Sequence, residues 1–156
     1  MKEEIKKLVR EFIIENGKNE TLVISAFPGC GKSHFFRENK DKIVLDSDSS
    51  KFDKSNFPNN YIEHIKNNIG KADIILVSSH KEVRDALIDN DIKFTLVYPD
   101  ISIKDEYLQR YKDRNSPESF IKLLGDNWEL WIDELNNQKG CKKIKLKKGE
   151  YLSDVI

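Results

Sequence analysis

The chain has 156 residues, 38% of them hydrophobic and 35% charged, and its 27 lysines and arginines balance 27 aspartates and glutamates. That length suits one domain with a real core, and the zero formal net charge argues against a nucleic-acid coat or a membrane-surface binder, since either needs a basic excess. No apolar run approaches the roughly 20 residues that span a bilayer, and the charge-mixed stretch at residues 1–7 is not read as a signal peptide. Cys30 and Cys141, the two cysteines, make neither a disulfide framework nor a cysteine zinc site, so a reducing cytoplasm is the expected setting.

Ile5, Leu8, Val9, Phe12 and Ile13 recur at helical spacing and predict a helix over 2–16, stopped by Gly17. The short β-branched run at 21–26 predicts a strand buried on both faces. A helix follows from Lys32 to about Asn39, then a strand at 43–45 ending on Asp46. Residues 47–60, rich in Asn and Ser with Pro58, read as a loop or mobile insertion. Tyr61, Ile62, Ile65 and Ile69 form a helical face closed by Gly70. A strand at 74–77, a helix at 81–89 and a strand at 94–98 broken by Pro99 come next, followed by a helix at 103–114. Ser116 and Pro117 suit the cap and first position of one further helix, which carries Phe120, Leu123, Leu124, Trp128, Trp131 and Leu135 on one face. Ile144 and Leu146 alternate with lysines in a fifth strand, an edge strand with solvated lysines, before a short tail. Alternating helices and apolar strands predict an α/β fold with a parallel sheet covered on both faces, whose chemistry lies just beyond the carboxyl ends of the strands.

The segment after the first strand, Ala26-Phe-Pro-Gly-Cys-Gly-Lys-Ser33, has the spacing of a Walker A phosphate-binding loop with Ala26 in place of the usual first glycine. Gly29 and Gly31 permit a backbone path that turns N–H groups toward an anion, and the following helix start adds its positive dipole end. Pro28, Gly29, Cys30, Gly31, Lys32, Ser33 and His34 are therefore the expected nucleotide-binding set. Lys32 would reach the β- and γ-phosphates and Ser33 would ligate Mg²⁺. Cys30 supplies only its N–H, its thiol being read as inert; His34 and His64 read as helix-surface residues.

Asp46 and Asp48 follow the second strand at the same pole. Asp46 would hold Mg²⁺, and Asp48 would orient the acceptor or take its proton. Ser79 and His80, beyond the third strand, are candidate substrate contacts, as is Phe52; Phe52, Phe57 and Tyr61 either sandwich a base or sugar or simply cap the sheet. Only five of the 27 cations are arginines. Arg110 and Arg114, one helical turn apart, would neutralise a transferred phosphoryl group, and Arg84 would hold an acceptor phosphate. The alternative for each is a surface salt bridge.

Four segments, at residues 25–34, 44–48, 77–87 and 98–114, together resemble small P-loop kinases of the nucleoside and nucleotide kinase-like superfamily, over residues 21–148. The third segment is similar to gluconate-type kinases, the Asp-Ser-Asp of the second to shikimate-type kinases, and the chain also resembles proteins of this type found in bacteriophages. The resemblance implies a three-layer α/β/α fold with a five-stranded parallel sheet in order 2-3-1-4-5. It implies ATP and Mg²⁺ as co-substrates, an acceptor-binding region (here 47–70) and a lid (here 110–118). The departures are Ala26, a lid in which only Asn115 and Ser116 separate two expected helices, and no complete acceptor signature. The expected activity is transfer of the γ-phosphoryl group of ATP to a small acceptor, a nucleoside or nucleoside monophosphate. The alternatives are a polynucleotide 5′-hydroxyl kinase or a regulatory protein that binds ATP without transfer.

Overall fold

Short runs rich in Val, Ile and Leu bury both their faces when they lie inside a parallel sheet, and the apolar runs of this chain meet in one. The computed structural model describes residues 3–6 and 21–156. Leu22–Ala26 (β1), Val44–Asp46 (β2), Ile74–Ser78 (β3), Thr95–Pro99 (β4) and Lys142–Leu146 (β5) pair in parallel in the order β2-β3-β1-β4-β5. Every residue of β3 and β4 is buried, whereas the edge strand β5 exposes Lys143 and Lys145 between half-buried and buried neighbours. The sheet is flanked by Lys32–Glu38 (α1), Asn59–Asn68 (α2), Lys81–Asp89 (α3), Lys104–Asp113 (α4), Glu118–Asp126 (α5), Trp128–Asn136 (α6) and Leu152–Val155 (α7). The α/β fold and its strand order are those expected from the sequence. Among the described residues no helix is long and apolar enough to cross a membrane.

Several local expectations change. The helix predicted over 2–16 lies outside the described residues except for a helical turn at 3–6. Residues 47–60 are not a plain loop: 3₁₀ turns at Ser49–Lys51 and Lys54–Asn56 lead straight into α2. Each is opened by an Asp-x-Ser step, Asp48 accepting from the Ser50 N–H at 2.9 Å and Asp53 from the Ser55 N–H at 3.0 Å. The same device, Asp100 to Ser102, starts the turn at Ile101–Ile103. A short side chain that caps its own turn competes well with longer-range structure. Pro99 does not break β4 but ends it, opposite Leu146 of β5 and two residues past Val97, the last residue of β4 paired with β1, so its missing N–H interrupts no ladder with β1.

The helix expected from Ser116 to Leu135 is two helices, divided at Asn127, whose side-chain amide donates to the Leu123 carbonyl at 2.9 Å. Pro117, not Ser116, occupies the cap position of α5, with no side-chain cap bond; the Ser116 hydroxyl instead accepts from Arg114 Nε at 3.1 Å. Leu123 stands half-exposed on this expected apolar face, while Trp128 is fully buried. The Trp128 indole donates to the Ile101 carbonyl at 2.8 Å and packs edge-on against Phe27, 5.8 Å between ring centroids. The core so formed underlies the carboxyl ends of β1, β3 and β4, and that pole carries the residues singled out above.

Candidate phosphate-binding cleft

A cleft of about 720 Å³ opens at this pole, between the 26–34 loop, the tips of β2 and β3, and the end of α4. It brings together Pro28, Gly29, Gly31, Lys32, Ser33, His34, Asp46, Asp48, Ser79, His80, Arg110 and Arg114, nearly the whole expected set.

The loop is held from behind. The Tyr111 hydroxyl donates to the Pro28 carbonyl at 2.7 Å, Arg110 donates to the Gly29 carbonyl at 2.8 Å, and the Leu152 N–H donates to the Cys30 carbonyl at 2.8 Å. In a planar trans peptide the carbonyl of one residue and the N–H of the next point in opposite directions. Three successive carbonyls turned toward α4 and the tail therefore turn the N–H groups of Gly29, Cys30 and Gly31 the other way. The Cys30 N–H, expected from the sequence to face the anion, instead closes back on the Phe27 carbonyl at 3.2 Å, which leaves Gly29 and Gly31 as the loop's unbonded donors. The glycines are required by this path. Gly29 sits at φ +93°, where a Cβ would lie 2.9 Å from the Tyr111 ring, and Gly31 at φ +90°, 3.1 Å from Tyr151. Helix α1 then begins with no side-chain cap, so the N–H groups of its first turn have no partner within the helix.

Lys32 is partly buried at the mouth of this loop, and burial pulls its pKa below the ordinary lysine value while Asp46 and Asp48 pull it back. An ammonium group so desolvated gains from an anionic neighbour. Asp46 ends β2, exposed to the cleft, and Asp48 accepts from both the N–H and the hydroxyl of Ser50 with one carboxylate oxygen, which holds its pKa below the ordinary value. Ser47 between them is anchored on three sides: its N–H donates to Leu76, its carbonyl accepts from the Tyr61 hydroxyl at 2.5 Å, and its own hydroxyl bonds His64 at 2.9 Å. The Tyr61 hydroxyl also accepts from the Ser78 N–H at 3.3 Å, so one buried ring ties the tips of β2 and β3 together. Sequence periodicity shows Tyr61 only as an apolar face residue, and it places His64 on the surface, where the structure has it half-buried and bonded.

The two lid arginines are not equivalent. The Arg110 guanidinium lies between the Tyr107 and Tyr151 rings, 4.4 and 3.7 Å from their centroids. It also bonds Glu106 at 2.7 Å and the Glu150 carbonyl at 3.0 Å besides Gly29, so it braces the loop and is not free to swing. Arg114 is exposed, resting near the Tyr111 and Phe120 rings. Only Arg114–Pro117 separate α4 from α5, with Asn115 at φ +59° making the turn.

Other expected contacts are not brought to the cleft. Arg84 is buried, its three guanidinium nitrogens bonded to the Ser79 carbonyl, Gln138 and Glu134. Phe52 stacks edge-on against Tyr61 at 4.8 Å and against His64 at 5.2 Å, and Phe57 packs on Tyr61 at 5.6 Å, so these rings cap the sheet. Cys30 is fully buried beside Tyr107, and its thiol is pushed up to about 11, chiefly by burial, which makes it inert. His34 is half-exposed, 3.6 Å from Glu38, at the edge of the cleft. Partial burial and then the charges of Lys32, Lys54 and Arg84 hold the His80 pKa below the ordinary value of 6.5, which favours the uncharged ring at neutral pH.

Arg37, Ser47 and Ser49 line the cleft without having been singled out, and Tyr151 does so with no signal in the sequence, since it follows Gly149 in an unpatterned tail. The tail is ordered because Leu152 and Val155 bury themselves and the Gly149 N–H reaches Glu106 at 3.1 Å.

Among the described residues no group of three or more His, Cys, Asp or Glu side chains surrounds a metal position. Ser33 and Asp46, both in the cleft, are the groups that could hold Mg²⁺, an ion that takes one or two protein ligands and fills the rest of its octahedron with other oxygens. No protein-family model matches the chain, and no curated protein matches it.

Proposed function

We propose that the chain is an ATP-dependent phosphotransferase that moves a γ-phosphoryl group to a small acceptor held beside the cleft. The observation that carries this reading is the loop tied down through three successive carbonyls, with Lys32 at its mouth and two carboxylates opposite. The outward N–H groups and the α1 start would grip the phosphate chain. Lys32 would lie against the β- and γ-phosphates; Ser33 and Asp46 would hold Mg²⁺, which supplies charge neutralisation on the bridging oxygens when bound. Arg114, exposed and bonded to the Ser116 hydroxyl and not to a carboxylate, would meet the transferred group, while Arg110 keeps the loop in shape. With Asp46 assigned to the metal and His34 at the rim beside Glu38, Asp48 and His80 would be the bases for the acceptor proton. A single observation favours the alternative of ATP binding without transfer: one of the two lid cations is committed to the fold.

Incubation with γ-labelled ATP, Mg²⁺ and a panel of nucleosides, nucleotides, sugars and DNA 5′-hydroxyl ends tests the proposal. Label should pass to an acceptor, and Lys32→Ala should reduce that transfer about 10²–10³-fold. Label found only in free phosphate, or a variant as fast as the parent, contradicts it.

A further inference from the structure

Beside the cleft lies a second cavity of about 280 Å³, and the two share Pro28, Ser79, His80 and Phe120 along their common wall. Its body is apolar: Phe27, Phe120, Leu124, Trp131 and Leu135 line it, with Leu123 half-exposed. Flat rings and leucines of this kind suit a planar, weakly polar ligand, and the volume suits a small one.

The charges around it are equally telling. A phosphate needs a free cation or a cluster of donors. Arg84 lies in the wall, but all three nitrogens of its guanidinium are bonded, to Ser79, Gln138 and Glu134. Lys81 pairs with Asp85 at 2.6 Å. The His80 ring favours its uncharged form at neutral pH, and Glu134 adds a carboxylate to the lining. The cations Lys32, Arg37 and Arg114 line the first cleft instead.

We infer that the acceptor is an uncharged molecule with a flat, largely apolar body, of nucleoside type and without a phosphate of its own, seated in this second cavity with its hydroxyl projecting past His80 toward Lys32. This rests on the phosphotransferase reading and narrows it. In the transfer, the acceptor oxygen forms a bond to the γ-phosphorus as that phosphorus parts from the β,γ-bridging oxygen. ADP leaves with that electron pair, and the hydroxyl proton passes to a ring nitrogen of His80, which stands on the wall common to both cavities.

The test compares nucleosides with their own 5′-monophosphates as acceptors of γ-label, using the full chain with ATP and Mg²⁺. Nucleosides should be preferred at least roughly tenfold in kcat/KM. Preference for the monophosphates overturns this inference and leaves the phosphotransferase reading standing; transfer to no acceptor overturns both. Leu123→Trp provides an independent arm, because the half-exposed side chain tolerates replacement without loss of fold. It should raise the KM for nucleoside about tenfold or more while the KM for ATP stays within about twofold. An unchanged nucleoside KM in a folded variant overturns the placement of the acceptor in this cavity.

Discussion

Arg110 and Arg114 are one turn apart on one helix, yet their surroundings give them different work. Arg110 has two aromatic faces, a carboxylate and two backbone carbonyls, and its side chain is only 9% exposed. Arg114 lies over the Tyr111 and Phe120 rings at 5.1 and 5.7 Å from their centroids and bonds the Ser116 hydroxyl. Arg110→Ala should therefore lower stability by about 2–4 kcal/mol, because it removes the cation paired with Glu106 and leaves the Gly29 carbonyl without its donor. Arg114→Ala should leave the melting temperature nearly unchanged and slow phosphoryl transfer about 10²-fold. Thermal melts and initial rates on the two variants check this; the opposite pattern would contradict the division of roles. A sequence displays both as an i, i+4 pair of equal standing. What separates them is Tyr151, 37 residues beyond Arg114 in a segment without periodicity, and no local pattern announces such a contact.

Among the elements, those with a strong period were legible and those decided by a single side chain were not. Four strands were readable because their runs of Val, Ile and Leu are too short for helices, the fifth because Ile144 and Leu146 alternate with lysines, and the 26–33 loop because its glycines, lysine and serine keep a fixed spacing between a strand and a helix. The division of the long helix at Asn127 was invisible. Phe120, Leu124, Trp128, Trp131 and Leu135 stay in phase across it, and one amide bonding back to Leu123 makes the break. The turns at 47–56 were hidden for a related reason, since Asp-x-Ser steps organise residues that look only polar. Trp128 shows what the break achieves. It directs the indole onto Ile101 and Phe27, the residue that precedes Pro28 in the loop. Trp128→Phe keeps most of the buried ring but strands the Ile101 carbonyl, at a cost of about 1–3 kcal/mol. Denaturant unfolding should register that loss, and a variant as stable as the parent would show that the indole bond contributes nothing.

At the scale of the whole molecule, the shifted groups predict a stability plateau bounded on both sides. Cys30 has its pKa raised from 9.0 to about 11. The folded state thus retains a proton that the unfolded chain releases, and stability falls as pH rises through 9 to 11. Cys30's own share is about 3 kcal/mol by the top of that window, opposed by Lys32, whose lowered pKa makes its contribution rise with pH up to 10.5. Asp48 and His80 are shifted down, so the unfolded chain binds protons more readily and stability falls as pH drops below 6.5 and again below 3.8. Urea unfolding across pH should show this shape, and Cys30→Ala should flatten the first part of the alkaline limb. A limb that is unchanged in that variant would mean the thiol is not the group responsible.

The sheet order, the loop held from behind and the paired acids converge on a single pole, and the claim that this pole grips a nucleotide's phosphates is open to direct inspection. A crystal structure of the chain with a non-hydrolysable ATP analogue and Mg²⁺ should place the β- and γ-phosphates within hydrogen-bond distance of the Gly31, Lys32 and Ser33 N–H groups and of Lys32 Nζ. An analogue bound at any other surface, with the 26–33 loop left unengaged, would contradict the account.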